Sequence, residues 1–232
     1  MTAMNTGDNE FGRRGDNARR THVEAAYERI SRLVDEIFDI DDDPEGPTAK
    51  IAVEVSKIIT PTPLFDTPFI TIPNAISEDY RCSFLANTLN AFKKGVARNQ
   101  DQYTAPVPGP ELETVTEVLR PLLTECTGTQ FVSSGWGSYA HYAGDGSRSR
   151  AHLDQPRFGE ATALLMLDHH PPSDASSNRT SQTRFITRDG VQSVSSTPGS
   201  VIIFDGRFLP HGRTSLQSGE AITLALIGLV RA

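Results

Sequence analysis

Apolar positions follow two different rhythms along the chain. From residue 21 to about 128 they recur at helical spacing, and from about 130 onward they alternate or form short runs between turn residues. "THVEAAYERISRLVDEIFDI" is the first helical stretch. Val23, Tyr27, Ile30, Val34 and Ile37 share one face, Thr21 and Glu24 form a capping box, and the acidic "DDDPEGP" ends it. Residues 48–68 fit either a short helix or strands. "PFITIPNAISEDY" predicts a strand leading into a helix capped by Ser77. Tyr80, Phe84, Leu85, Leu89 and Phe92 lie on the apolar side of that helix, and Gly95 is its stop. A further helix is expected over roughly 110–126, bent or interrupted at Pro121.

Beyond residue 130 the pattern predicts strands. "FVSSGWGSYAHYAGDG" is a strand and turn, and "ATALLMLD" a short apolar strand. "TRFITRDGVQSV" is a hairpin turning at Asp-Gly, followed by strands in "GSVIIFDG" and "AITLALIGLV". Helices first and strands after give an α+β chain whose C-terminal half is a jelly-roll-like β-sandwich. One domain is expected over 21–232, with a helical part over 21–128 and a β core over about 130–232. The polar, Gly/Asn/Arg-rich residues 1–20 are expected to form a disordered arm.

Composition narrows the function. The 232 residues are 37% hydrophobic and 22% charged, a globular balance, and carry a net charge of −7. That charge argues against a general binder of nucleic-acid phosphates. "RRGDNARR" is one local basic candidate, or else part of a solvated arm. Two cysteines, Cys82 and Cys126, make neither a disulfide framework nor a four-cysteine zinc site. With no apolar leader and no 18-residue apolar segment, the expectation is a cytoplasmic protein with no membrane association. Asn178-Arg179-Thr180 fits a glycosylation sequon that this setting leaves unused.

The candidate chemistry centres on "RAHLDQP". If this stretch is extended, His152 and Asp154 share a face and Leu153 points away. "FDGRFLPHGRT" supplies a third ligand, His211, after an apolar strand and a tight turn. Two imidazoles and a carboxylate on one side of Fe(II) leave positions for co-substrate and oxygen. Calcium and magnesium prefer oxygen cages and structural zinc closes its shell with four ligands, so iron fits this set best.

The ordered motifs Y-x-G, H-x-D, G-x-x-x-x-F-D-G, H-G-R-T and G-E-x-I-T, over about residues 69–230, resemble the Fe(II)/2-oxoglutarate-dependent oxygenases. Within that family the likeness is to the prolyl-hydroxylase-like group. The resemblance implies a double-stranded β-helix (cupin-like) core with supporting N-terminal helices. It makes His152, Asp154 and His211 the iron ligands and 2-oxoglutarate and O2 the co-substrates, and implies a dioxygenase that hydroxylates an unactivated C–H bond. Desaturation or ring closure needs only small changes in substrate placement. A small metabolite, amino acid or biosynthetic intermediate is the expected substrate, with a protein side chain as the other option.

By the same resemblance Tyr142 is either a hydrogen-bond partner of the co-substrate or an aromatic filling the end of the barrel. The family places an Arg or Lys, in G-x-R-x-S/T, against the distal carboxylate of 2-oxoglutarate. Here Ala221 stands at that Arg, while Thr223 fits the companion hydroxyl. Arg213, two residues after His211, is the best substitute, though it also suits a substrate contact or a structural pair. Arg157 and Arg231 are weaker candidates. Trp136 shares a face with Tyr142 by parity and could wall the site, which leaves His141 structural.

His169-His170 reads as loop rather than ligand. The segment 169–183 is either a lid or a surface excursion. Arg148 and Arg150 either meet an acidic substrate or are solvated. The missing Arg keeps open an iron oxidase that does not use 2-oxoglutarate, and a cupin-like binding module without catalysis is the remaining alternative.

Overall fold

A computed structural model describes residues 46–59, 65–99, 102–173 and 180–232. The arm 1–20, the helix expected over 21–40, and Asn178 and Arg179 of the sequon lie outside the described residues. Two antiparallel sheets carry the structure. Numbered along the chain, the strands are β1 (Phe69–Ile72), β2 (Ala97–Asn99), β3 (Gln102–Pro106), β4 (Phe131–Ala143), β5 (Ser149–His152) and β6 (Ala161–His170). They continue with β7 (Thr183–Thr187), β8 (Gly190–Val194), β9 (Val201–Phe204), β10 (His211–Arg213) and β11 (Ala221–Arg231). The larger sheet runs β1-β9-β6-β11-β4-β3-β2 and the smaller β5-β10-β7-β8.

Side-chain alternation divides the interior into two layers. On the larger sheet Tyr139, Ala163, Leu165, Ile203, Ala225 and Ile227 face the helices, where they meet Phe84, Leu112, Val115, Leu119 and Leu123. The intervening residues Ala140, Tyr142, Leu164, Met166, Ile202, Ile222 and Leu224 face the smaller sheet and pack with Phe185. A strand buried on both faces needs a continuous apolar run rather than an alternating one. That is why Ala161 to Leu167 of β6, "ATALLML", are all buried.

Three described helices accompany the sheets. Helix α1 (Pro47–Ile59) settles the first part of the stretch the sequence left open. It buries Ala49, Ala52 and Ser56 and packs against β7 and β8, where the Ser56 hydroxyl donates to the Thr187 carbonyl at 3.1 Å. Helix α2 (Glu78–Lys94) begins at Ser77, whose Oγ accepts from the Tyr80 N–H at 3.3 Å. Leu89 is 50% exposed and Thr88 is buried in its place, so the apolar face is narrower than its spacing suggests. Helix α3 (Gly109–Thr127) is uninterrupted at Pro121. That residue sits on the exposed side and costs one backbone bond, while Leu119 and Leu123 stay buried.

The expected helical part therefore needs correcting. The strands β2 and β3 lie within it besides the expected β1, and the three extend the larger sheet at both edges. The β7–β8 hairpin turns at Arg188-Asp189, one residue before the expected Asp-Gly, and Gly190 opens β8 opposite Thr187 with φ 136°. Among the described residues no helix is long and apolar enough to cross a membrane.

Candidate metal centre and its cavity

β5 and β10 are short, but their pairing places His152 directly opposite His211. The ring centroids are 4.6 Å apart. β5 ends at His152, so Asp154 lies beyond the strand rather than on it. It is brought back by its own backbone N–H, which donates to the Gly206 carbonyl at 2.7 Å. Gly206 lies so close to the Asp154 carboxylate that a Cβ there would collide with it.

The three side chains are oriented by their neighbours. In each histidine Nδ1 sits 2.9 Å from the backbone carbonyl two residues earlier, Arg150 for His152 and Leu209 for His211. Nδ1 then carries the proton, and the Nε2 lone pair points to the centre. His211 Nε2 lies 3.6 Å and His152 Nε2 3.9 Å from Asp154 Oδ1. The other oxygen, Oδ2, accepts from the Thr162 hydroxyl at 2.5 Å. Burial opposes ionisation of Asp154, but the adjoining His211, then His152, when both ring nitrogens carry a proton, and the Thr162 hydroxyl outweigh it and hold the carboxyl at about 2.

Among the described residues, His211 Nε2 is buried without a hydrogen-bond partner. A buried polar atom left unpaired is costly, and a cation between the three residues would satisfy it. The potential ligand atoms all lie within 4.8 Å of one another. Two imidazole nitrogens and a carboxylate oxygen suit a divalent transition metal.

The centre opens into a cavity of about 370 Å³, which Tyr142, Ser149, Thr183 and Arg213 line at one end. Arg213 is buried. Its guanidinium donates to the Ser181 hydroxyl at 3.2 Å and the Thr183 hydroxyl at 3.0 Å, and lies 5.9 Å from the Tyr142 ring. Burial lowers the Arg213 pKa, opposed by Tyr142 and Glu220. Glu220 is buried just before β11. It accepts from the Ser181 N–H at 2.9 Å, the Ser181 hydroxyl at 3.1 Å and the Gln217 N–H at 2.9 Å, and meets His169 Nε2 at 3.0 Å. Burial raises its pKa, yet these donors hold the carboxyl below its ordinary value. Ser181 thus couples a cation facing the cavity to an acid behind it.

Thr223 is not brought to the site. Ile222, Leu224 and Leu226 take the cavity side of β11, and Thr223 faces the helices, its hydroxyl 3.0 Å from His141 Nδ1. Ala221 shares that outward face by alternation, so a cation there would not reach the cavity. Trp136 is 47% exposed and stands outside the cavity wall, displaced by the register shift around Gly135 at φ 80°. Arg157 lines the cavity, whereas Arg231 pairs with Glu160. His169 and His170 belong to β6 rather than to a loop.

Sequence reasoning passed over Gln102 and Thr104, which reach the cavity from β3. The polar stretch "ARNQDQYT" carries no apolar alternation to announce a strand. Thr162 and Glu220 carried a weak signal at most, a threonine opening an apolar strand and an acid inside G-E-x-I-T.

No family model matches the chain, and no curated protein matches it by sequence. Solved structures do. A Pseudomonas putida prolyl-4-hydroxylase is similar over 78% of this chain and 100% of its own, with TM-score 0.55 and 16% identity. A Trichoplax adhaerens prolyl hydroxylase, in complex with a hypoxia inducible factor peptide fragment, is similar over 77% and 91%, with TM-score 0.52 and 19% identity. HygX from Streptomyces hygroscopicus, with nickel and 2-oxoglutarate bound, is similar over 70% and 82%, with TM-score 0.54 and 12% identity. At these identities the likeness is one of architecture: the chain has the jelly-roll fold found in prolyl hydroxylases and other 2-oxoglutarate–Fe(II) oxygenases.

Proposed function

We propose that this protein is an Fe(II)- and 2-oxoglutarate-dependent dioxygenase that hydroxylates a C–H bond of a small molecule. The observation that carries the reading is the His152–Asp154–His211 cluster, with its buried, unpartnered Nε2, opening into a cavity that also holds Arg213. In this reading the strands β4 to β11 form a double-stranded β-helix. The pairings β9-β6-β11-β4 and β5-β10-β7-β8 support it.

Iron held by these residues would supply oxygen activation coupled to decarboxylation of 2-oxoglutarate. The chain's own part is orientation and exclusion of water. Backbone carbonyls fix both imidazoles, and the Thr162 hydroxyl holds Asp154 by one oxygen and leaves the other toward the centre. Arg213 is the residue assigned to the distal carboxylate, because a guanidinium meets a carboxylate in two parallel bonds and costs less to bury when so paired. Tyr142, stacked near it and beside Ser149, closes that end. The cation missing from β11 had left room for an iron oxidase that does not use 2-oxoglutarate. Arg213, reaching the cavity from β10, supports the 2-oxoglutarate reading over that alternative.

The test is an anaerobic titration of the metal-free protein with Fe(II) and then 2-oxoglutarate, read by the visible charge-transfer band of the chelate. The band is expected in the wild type and absent in His211→Ala. Arg213→Gln should weaken 2-oxoglutarate binding by about 10- to 100-fold, as expected for losing a charge-assisted bidentate pair. Iron binding without a band would overturn the 2-oxoglutarate assignment.

A further inference from the structure

Two cations line the cavity, in contrasting surroundings. Arg213 is buried and engaged by Ser181 and Thr183. Arg157 is exposed, on the turn Pro156–Phe158 that begins two residues after Asp154. That turn is closed by its own backbone bond and tied to β11. The Phe158 N–H donates to the Gln155 carbonyl at 2.9 Å, and the Glu160 N–H to the Leu229 carbonyl at 2.7 Å. The backbone of Arg157 is therefore held at a fixed distance from the candidate metal centre.

The Arg157 guanidinium lies 4.2 Å from the centroid of the Trp136 ring. Stacking of this kind occupies a face of the guanidinium and leaves its in-plane N–H groups pointing outward. Neighbouring arginines are neutralised within the chain, Arg207 by Asp205 and Arg231 by Glu160. Among the described residues no carboxylate pairs with Arg157. Asp154 is the one acid lining the cavity, and Gln102, Thr104, Ser138 and Gln155 supply neutral polar groups.

We propose that Arg157, positioned by Trp136, is a specificity-determining residue that grips a carboxylate of the primary substrate, so that the substrate is a small carboxylate-bearing molecule. The inference rests on the oxygenase reading. With Arg213 assigned to the co-substrate, the substrate enters between the centre and the exposed side of the cavity. An anion there meets a guanidinium already oriented and, among the described residues, not paired with a carboxylate.

Trp136 is the single tryptophan of the chain, so its emission reports on this stack alone. The full-length protein is loaded anaerobically with Fe(II) and 2-oxoglutarate and titrated with benzoate, N-acetylglycine and N-acetylproline. Each acid is compared with its primary amide. The acids should perturb the Trp136 emission saturably, with apparent Kd at least about tenfold below the amides. Arg157→Gln should erase the preference, and Arg157→Lys should keep it in weakened form. A merely structural arginine would not separate acid from amide. Equal affinities, the lack of a saturable response to all three acids, or an undiminished preference in Arg157→Gln would overturn the proposal. The visible band reports separately on iron and 2-oxoglutarate. If it fails to form, the oxygenase reading falls, while the acid–amide comparison still reads Arg157.

Discussion

At His211 the chain buries a ring nitrogen with nothing to bond it, and at Arg213, two residues on, it buries a full positive charge. A metal ion held there would explain the first. The second is made tolerable by Glu220, which reaches Arg213 through Ser181. Glu220 is held below its ordinary pKa, so its contribution to stability is fully present above the unfolded value, about 4.3, and is lost as pH falls. Glu220→Gln should therefore be less stable than the wild type at neutral pH, with the gap closing below about pH 4.3. Urea unfolding across that range measures this. A gap that is independent of pH would exclude a charge-based role for Glu220.

Among the elements, the pairing of β5 with β10 matters most, since it sets the two histidines side by side. Gly212 makes the close approach possible: a Cβ there would come 2.5 Å from the Ser149 carbonyl oxygen and 3.0 Å from the Ala151 nitrogen, both backbone atoms. Gly212→Ala should push the strands apart and destabilise the fold by roughly 1–3 kcal/mol, the usual cost of overpacking. It should also weaken metal affinity although no ligand is changed. Thermal melts with and without metal would measure both effects.

This scale also shows what the sequence could reveal. Alternation and continuous apolar runs were enough to locate β4, β6, β9 and β11, because burial on one or both faces imposes those patterns. The sequences of β2 and β3, "ARN" and "QYTAP", are largely polar and impose none. His152, Asp154 and His211 stood out because spacing and flanking turns constrain them. Glu220 and Ser181 did not, since their roles depend on pairing across a sheet that no local pattern records. Thr223 was misplaced for a related reason. Motif alignment gives order along the chain, but one step of register decides which face a side chain takes.

For the whole molecule, helices α2 and α3, the larger sheet and the smaller sheet form three layers, with α1 against the smaller sheet, and the candidate centre lies at the β5–β10 pairing beside the interior shared by the two sheets. A ligand that binds the folded state alone stabilises all of it. A metal at 100 times its Kd adds about 2.7 kcal/mol, which for a domain of this size is a rise in Tm of roughly 5–10 °C. Adding Mn(II) to metal-free protein should give such a shift, a chelator should reverse it, and His152→Ala should show none. An equal shift in that variant would place the metal elsewhere.

The most direct test of the central claim is a crystal structure of the protein grown anaerobically with Mn(II) in place of Fe(II) and with 2-oxoglutarate. The account predicts one metal ion bound by His152 Nε2, His211 Nε2 and Asp154 Oδ1, chelated by 2-oxoglutarate, with the distal carboxylate on Arg213. A metal bound by other residues, or a distal carboxylate pointing away from Arg213, would contradict it.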